Sequence, residues 1–368
     1  KKGEELRVGI RSILKKDDFL DTMRGLTNLA DVSLIKALEI AEVRMIERYG
    51  KPTEQTSQNK LRDSSFAIIG LGKLGGKEFD FGSDLDIVFI YSQDGSTTGI
   101  PSGNGEMINR ISNRVFYAKL YEEIYQMISG ITRSGFLYKI DARLRPDGKK
   151  GVMTINLDTL KKYLLKRAEV WEKQAFVKAR FIAGSKILGD KAIKIIHKSI
   201  YQEKFDPTIA SEINNMRKRI EKERGKEKEG LKDIKLGYGG LLDIEFIVQY
   251  LQLKYGSRFK SLRDTNTLAI LERLRNKDLI SKRDCNKLIK AYRFFRETVS
   301  GLRIEHERPS SSLPDVGHKL DILASRLGYK SDEKKGSGKK LMDEYDLHTT
   351  VVRNIYKSIF NNKIAKSC

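Results

Sequence analysis

The chain has 368 residues, with 71 lysines and arginines against 49 aspartates and glutamates, a formal charge of +22, and 39% hydrophobic residues. That length exceeds one comfortable core and predicts two domains. No apolar run reaches bilayer-spanning length, no signal peptide is expected at the start, and two distant cysteines, Cys285 and Cys368, with four scattered histidines argue against a disulfide framework or a zinc site. The positive excess is spread over helix faces and over loops such as 225–230 and 331–336 rather than interleaved with aromatics in one stripe. It predicts a solvated surface that helps steer an acidic partner or a nucleotide, not a nucleic-acid groove.

From the N-terminus, apolar residues at helical spacing over 29–49 predict a helix, with Gly50 as its stop and Pro52 beyond. Apolar 66–69 predicts a first strand and 85–91 a second. Between them Gly70, Gly72, Gly75 and Gly76 free the backbone to turn sharply and bring amides close to an anion, and Lys73 adds a positive point charge. Neither the Walker spacing nor the dinucleotide fingerprint is present. Asp84 and Asp86 open the second strand one residue apart, and strand alternation puts both carboxylates on one face. The apolar residues after them cannot neutralise two neighbouring negative charges. The pair therefore predicts a hard divalent cation such as Mg²⁺, sharing its shell with substrate phosphates.

A Ser/Thr/Gly-rich loop is expected over 95–105, then an aromatic-bearing helix over 107–129 packed on the sheet. A third strand over 137–141 ends in Asp141, a third carboxylate of the kind a two-metal clamp needs. Arg143 and Arg145 follow at alternating positions, able to face one anionic ligand, and Pro146-Asp147-Gly148 turns the chain. Helix is expected over 157–183, with Trp171 and Phe176 as core anchors. From Pro207 onward the pattern is helices with short charged linkers. The exception is Gly237-Tyr238-Gly239-Gly240 before a helix at 241–255, because glycines opening a helix make its amides available to an anion. Lys235, just upstream beside Asp233, is expected to support phosphate there, while Asp243 and Glu245 serve structure; a plain interdomain turn is the competing reading. Alone, an Asp-x-Asp pair is most often a surface turn and two spaced arginines a solvated face. Their combination with the glycine turn is what points to nucleotidyl transfer.

Strand, Gly-rich turn and a second strand opening with Ser83-Asp84-Leu85-Asp86 resemble the nucleotidyltransferase superfamily of DNA polymerase β type. More closely, Gly72-Lys73-Leu74-Gly75-Gly76-Lys77-Glu78, Gly82-Ser83-Asp84-Leu85-Asp86, Asp141-Ala142-Arg143-Leu144-Arg145-Pro146, Asp233-Ile234-Lys235 and Gly239-Gly240-Leu241-Leu242-Asp243-Ile244-Glu245-Phe246 recur in bacterial glutamine synthetase adenylyltransferase. The chain resembles that family over nearly its whole length. The resemblance implies an α+β fold: a polymerase-β-like nucleotidyltransferase domain with N-terminal helices and a small mixed sheet over 1–205, followed by a helical-bundle domain over 206–368. It implies a cytoplasmic, Mg²⁺-dependent enzyme that transfers AMP from ATP to a tyrosine hydroxyl of glutamine synthetase. Asp84, Asp86 and Asp141 would bind metal, the last also helping to deprotonate the hydroxyl. Gly72, Lys73 and Ser83 would hold the triphosphate, and Arg143, Arg145 and Lys235 would support phosphate or the acceptor. PII signal-transduction protein is implied as a partner and glutamine as an effector, with no nucleic acid and no membrane.

Members of that family carry two related halves, one attaching AMP and the other removing it by phosphorolysis. A single motif set implies one half here, a fragment or a short member. Gly82-Ser83-Asp84-Leu85-Asp86, Trp171-Glu172-Lys173-Gln174-Ala175 and the stretch from Asp243 to Leu251 resemble the adenylylating half, whereas Lys235-Leu236-Gly237 and Lys178-Ala179-Arg180 lean towards the removing half. The balance favours adenylylation, with AMP removal and a non-catalytic module sensing PII or glutamine as alternatives.

Overall fold

The computed structural model describes residues 1–56, 58–133, 135–202, 205–224, 231–306, 311–314 and 316–361; the charged run 225–230 and Cys368 lie outside them. In chain order the elements are α1 (Lys2–Ile13), α2 (Phe19–Tyr49), β1 (Pro52–Gln55), β2 (Leu61–Asp63), β3 (Phe66–Gly70), α3 (Gly72–Gly75), β4 (Leu85–Tyr91), β5 (Gly95–Thr97), β6 (Ile100–Pro101), β7 (Met107–Ile108), α4 (Asn113–Ser129), β8 (Ile140–Asp141), β9 (Thr154–Asn156), α5 (Leu157–Lys166), α6 (Val170–Phe176), β10 (Arg180–Gly184) and α7 (Lys186–Ile200). There follow α8 (Thr208–Arg224), β11 (Leu231–Asp233), α9 (Leu241–Tyr255), α10 (Thr267–Asn276), α11 (Lys282–His306), β12 (Ser312–Pro314), α12 (His318–Leu327) and α13 (Ser337–Asn361). The chain forms two compact units. One gathers Lys1–Glu4, Arg24–Phe79 and Ser83–Ile200, the other Glu5–Met23, Asp80–Gly82 and Tyr201–Cys368. None of the helices among the described residues is long and apolar enough to cross a membrane.

In the first unit β4 is the central strand of a small mixed sheet, as expected for an α+β fold. β3 lies antiparallel on one side, Phe66 opposite Tyr91 and Gly70 opposite Ile87. On the other side two short strands run parallel to it: Leu85 and Asp86 face Ile140 and Asp141, and Phe89, Ile90 and Tyr91 face Thr154, Ile155 and Asn156. Parallel neighbours need a crossover, and the one between β4 and β8 carries α4. Ser112 caps α4 by accepting the Val115 amide. Its buried Phe116, Leu120, Ile124 and Ile128 recur every fourth residue as one apolar stripe. Beside that stripe the Tyr117 ring stacks on Phe66 and Tyr91, centroids 5.3 and 4.8 Å away.

Several expected elements differ in detail. The helix expected over 107–129 starts only at Asn113, because Met107 and Ile108 pair with Ile100 and Pro101 as a short hairpin. The strand expected over 137–141 shrinks to Ile140–Asp141, since the Leu137 and Tyr138 amides donate to the Ile128 carbonyl at the end of α4 (3.0 and 2.9 Å). The single helix expected over 157–183 is two helices and a strand. Glu172 accepts the Glu169 amide and starts α6 anew, while β10 supplies the hydrogen bonds that the open edge of β3 needs. Phe176 is buried, but Trp171 is 37% exposed with its indole N–H on Glu169 (2.7 Å), so it does not anchor the core. The loop expected over 95–105 contains β5 and β6.

The second unit is helical apart from the β11–β12 pair. Its α9 is buried along most of its length and carries an ionic cluster. Arg217 pairs with Asp243, both fully buried, and with Glu221 (3.2 Å); Arg353 bridges the same two acids at 3.0 Å each. The 331–336 turn is closed by local charges too, the Lys340 ammonium first and then the Lys335 and Lys334 amides holding the Asp332 carboxyl down to about 2. Asp243→Ala would strand the buried Arg217 and is expected to destabilise this unit by about 3–5 kcal/mol. Urea unfolding followed by circular dichroism reads this directly, and an unchanged midpoint would contradict it.

Candidate active site

The glycine turn is built by contact, not by composition alone. The Leu71 amide donates to the Asp86 carbonyl (2.7 Å), tying the start of α3 to β4. Gly72 has φ +51°, and a Cβ there would come within 2.3 Å of Asp86 Oδ2, so only glycine lets this carboxylate lie against the turn. At Gly75 a Cβ would meet the Lys178 carbonyl at 1.8 Å. Two ion pairs hold the turn from behind. Lys178 reaches Glu78 (2.5 Å, both buried), and Arg180 pairs with both Asp31 oxygens (2.9 Å each) while donating to the Leu74 carbonyl (2.9 Å). Lys73 on the turn and Ser83 ahead of β4 are both partly exposed.

The carboxylates meet through strand register. Asp86 and Asp141 are direct neighbours on the parallel strands β4 and β8, and Asp84, exposed, precedes β4 by one residue. Asp84 and Asp141 line one cleft of about 540 Å³ together with Arg143. Arg143 is the cation among these acids. Its Nε lies 2.9 Å from each Asp141 oxygen, its Nη2 also contacts Oδ2, and its backbone amide donates to Oδ1 at 3.0 Å. Hydrogen bonds and charge from Asp141 raise the guanidinium above its ordinary value, and the charges of Asp86 and Asp84 add to that. Burial pushes the Asp141 carboxyl up, but the hydrogen bonds and charge of Arg143 outweigh it and hold the group below the usual carboxylate range.

Arg145 does something else. Only 4% exposed, it donates Nη1 to the Ala142 carbonyl (2.5 Å) and Nε and Nη2 to the Gly151 carbonyl (3.1 Å each). It thus clamps the loop that leaves the sheet at β8 and returns at β9, and it lines the same cleft as Arg143 with its donors turned to those carbonyls. Lys235 belongs to the second unit, partly exposed, its amide closed onto Asp233 Oδ1 (3.0 Å). The amides around the start of α9, expected to meet an anion, are already used: Gly239 donates to Asp243, Leu241 to the Ile234 carbonyl and Leu242 to the Lys235 carbonyl. That stretch is a self-closed turn. Sequence reading missed Lys178, Arg180, Glu78 and Asp31 as supports of the turn. Only their charge in apolar surroundings hinted at a structural role.

Among the described residues no three acidic, histidine or cysteine side chains already converge as a metal shell, Asp141 being turned onto Arg143. The donor chemistry nevertheless fits a hard divalent cation, with all-oxygen ligands available from adjacent strands and a side chain, Arg143, 64% exposed and free to leave.

Residues 1–194 match the family profile described as glutamate-ammonia ligase adenylyltransferase, and residues 209–360 match that of GlnD PII-uridylyltransferase. The chain is 30% identical over 358 residues to the bifunctional glutamine synthetase adenylyltransferase/adenylyl-removing enzyme of Nitrosomonas europaea, covering 96% of this chain and 37% of the relative. It is 34% identical over 302 residues to the enzyme of the same name from Nitrosococcus oceani, covering 81% of this chain and 30% of that one. The chain thus spans about a third of the length of these relatives. It belongs to the glutamate-ammonia ligase adenylyltransferase family and corresponds to one half of the bifunctional enzymes. Arg143→Gln is expected to raise the Asp141 carboxyl, since burial remains when the cation is gone; carboxyl-carbon NMR titration measures this, and an unmoved midpoint would show that Arg143 is not its counter-charge.

Proposed function

We propose that this member of the glutamate-ammonia ligase adenylyltransferase family catalyses Mg²⁺-dependent transfer of AMP from ATP to a tyrosine hydroxyl of glutamine synthetase. The observation that carries the reading is the parallel register placing Asp86 beside Asp141, with Arg143 drawn to them as their cation. Asp84, Asp86 and Asp141 would hold the ion once Arg143 swings off Asp141. When bound, Mg²⁺ would acidify the attacking hydroxyl and offset charge on the α-phosphate and the leaving group.

The remaining work falls to the chain. The Gly72 turn, Lys73 and Ser83 bind the triphosphate, and the released Arg143 follows the phosphates. The phenol oxygen forms a bond to the α-phosphorus, the bond from that phosphorus to the β-phosphate bridging oxygen breaks, and pyrophosphate leaves. The phenol proton passes to the Asp141 carboxylate. Asp141 reaches that proton through the oxygen not given to the ion, and it is exposed to the phenol only once Arg143 has left it. Arg145 positions the loop that carries Arg143 and is not assigned to phosphate. Lys235 has no assigned contact with the nucleotide. PII protein as partner, glutamine as effector and a cytoplasmic location belong to the same reading through the family resemblance.

A second reading is AMP removal, favoured by the names of the relatives, which join both activities. There a phosphate oxygen attacks the same phosphorus, the tyrosine oxygen leaves with a proton returned by Asp141, and ADP forms. A purely non-catalytic module is disfavoured, because setting Asp86 beside Asp141 on neighbouring strands without a ligand to hold costs electrostatic free energy. Incubation of unmodified glutamine synthetase with the chain, ATP and Mg²⁺ should add one AMP per modified subunit by intact-mass spectrometry. The adenylylated form with phosphate tests the reverse direction. Asp84→Asn with Asp86→Asn should abolish either activity by about 10³-fold or more, and full activity in that variant would overturn the site.

A further inference from the structure

We propose that the cleft beside Asp84 and Asp141 is the docking groove for the protein acceptor, taking an exposed loop that enters phenol first with acidic residues on its flanks. The inference rests on the nucleotidyl-transfer reading of the same carboxylates and assigns the partner's side of the site.

Displacement at phosphorus places the attacking and leaving oxygens on opposite sides of the phosphorus atom. The residues assigned to the leaving pyrophosphate, Gly72, Lys73 and Ser83, do not line this cleft. Asp84, Asp141 and Arg143 do, whereas Asp86 lies against Gly72, so the acids run from the glycine turn on one side to the cleft on the other. The attacking hydroxyl therefore arrives from the cleft side.

The walls suit a polypeptide better than a small polar acceptor. Tyr121 and Tyr125, rings 5.8 Å apart, form one aromatic wall, with Tyr121 braced edge-on against Phe89 at 5.1 Å. The rim is Ile131, Phe136 and Met153, which are 89%, 46% and 39% exposed. Three large apolar side chains held in water around one groove mark a surface that a partner covers. A nucleotide has no aliphatic face to bury Ile131 and Met153. Lys139, exposed, lines the same groove and puts a positive charge on it that does not take part in binding phosphate, which selects acidic residues beside the acceptor tyrosine.

The test uses the full chain with ATP and Mg²⁺, unmodified glutamine synthetase as acceptor, and calorimetry for ATP binding. Ile131→Ser with Phe136→Ser removes the rim, and Lys139→Glu reverses the charge. These exposed substitutions should leave the unfolding midpoint unchanged. Each variant should raise KM for glutamine synthetase by about tenfold, with ATP affinity kept within about twofold and kcat little changed. For Lys139→Glu the acceptor KM should also lose most of its dependence on salt. An unaltered acceptor KM would overturn the groove, and a parallel loss of ATP affinity would overturn it too by giving the aromatic wall to the adenine. A wild-type chain that binds ATP with metal yet neither adds nor removes AMP would instead sink the transfer reading, and the acceptor assignment with it.

Discussion

Everything at the site follows from one strand pairing. Because β8 runs parallel to β4 with Asp141 opposite Asp86, two carboxylates are fixed as neighbours by backbone hydrogen bonding, whatever their side chains prefer. Like charges at that separation raise each other's free energy unless a cation stands between them. In this structure the chain supplies its own, Arg143, two residues beyond Asp141 and able to fold back because the strand ends there. Because β8 ends at Asp141, the chain is free to turn the Arg143 guanidinium and backbone amide together onto that carboxylate. Arg145 completes the arrangement by fixing the two ends of the loop on which Arg143 rides.

The opposite wall is fixed just as firmly. A glycine-rich turn has many conformations in isolation, and an anion site on it is useful only if it has one. Here the conformation is over-determined. Gly72 is pressed against Asp86, Gly75 sits on the Lys178 carbonyl, and Arg180 grips both the turn and Asp31 on α2. The buried Glu78–Lys178 pair adds a contact that tolerates neither partner alone. The segment 178–180, which enters β10, is the bed on which the glycine turn lies.

The family and the residues that form the candidate site stood out in the sequence more fully than the fold did. Asp84, Asp86, Asp141 and the glycines stood out because their types conflict with plain packing: acids opening an apolar strand, and four glycines within seven residues. Strands β3 and β4 were visible for the same reason, being continuous apolar runs. What was not legible depended on partners far along the chain. β10 lies in a stretch with helical apolar spacing and becomes a strand because β3 has an open edge 110 residues earlier in sequence, as the Arg180–Gly70 pairing shows. Trp171 read as core on periodicity alone, yet the new start of α6 at Glu169 rotates it outward. Arg143 and Arg145 looked equivalent by spacing. One faces the carboxylates and the other is consumed by two carbonyls, a distinction only tertiary structure makes.

The carboxylates cannot by themselves give the direction of transfer. Addition of AMP and its phosphorolytic removal both proceed by attack on the same α-phosphorus, and both need negative charge offset at the same oxygens. Direction is decided by which groups occupy the two sides of that phosphorus: pyrophosphate and phenol in one case, inorganic phosphate and phenol in the other. The phenol side is common to both, so the aromatic groove serves either reaction. On the proposed reading the difference would lie where phosphate or pyrophosphate sits, at Gly72, Lys73, Ser83 and the reach of Arg143. A site that grips a full triphosphate favours addition, and one that admits free phosphate favours removal. On that reading the cation balance around the glycine turn, rather than the three acids, would set the direction of transfer.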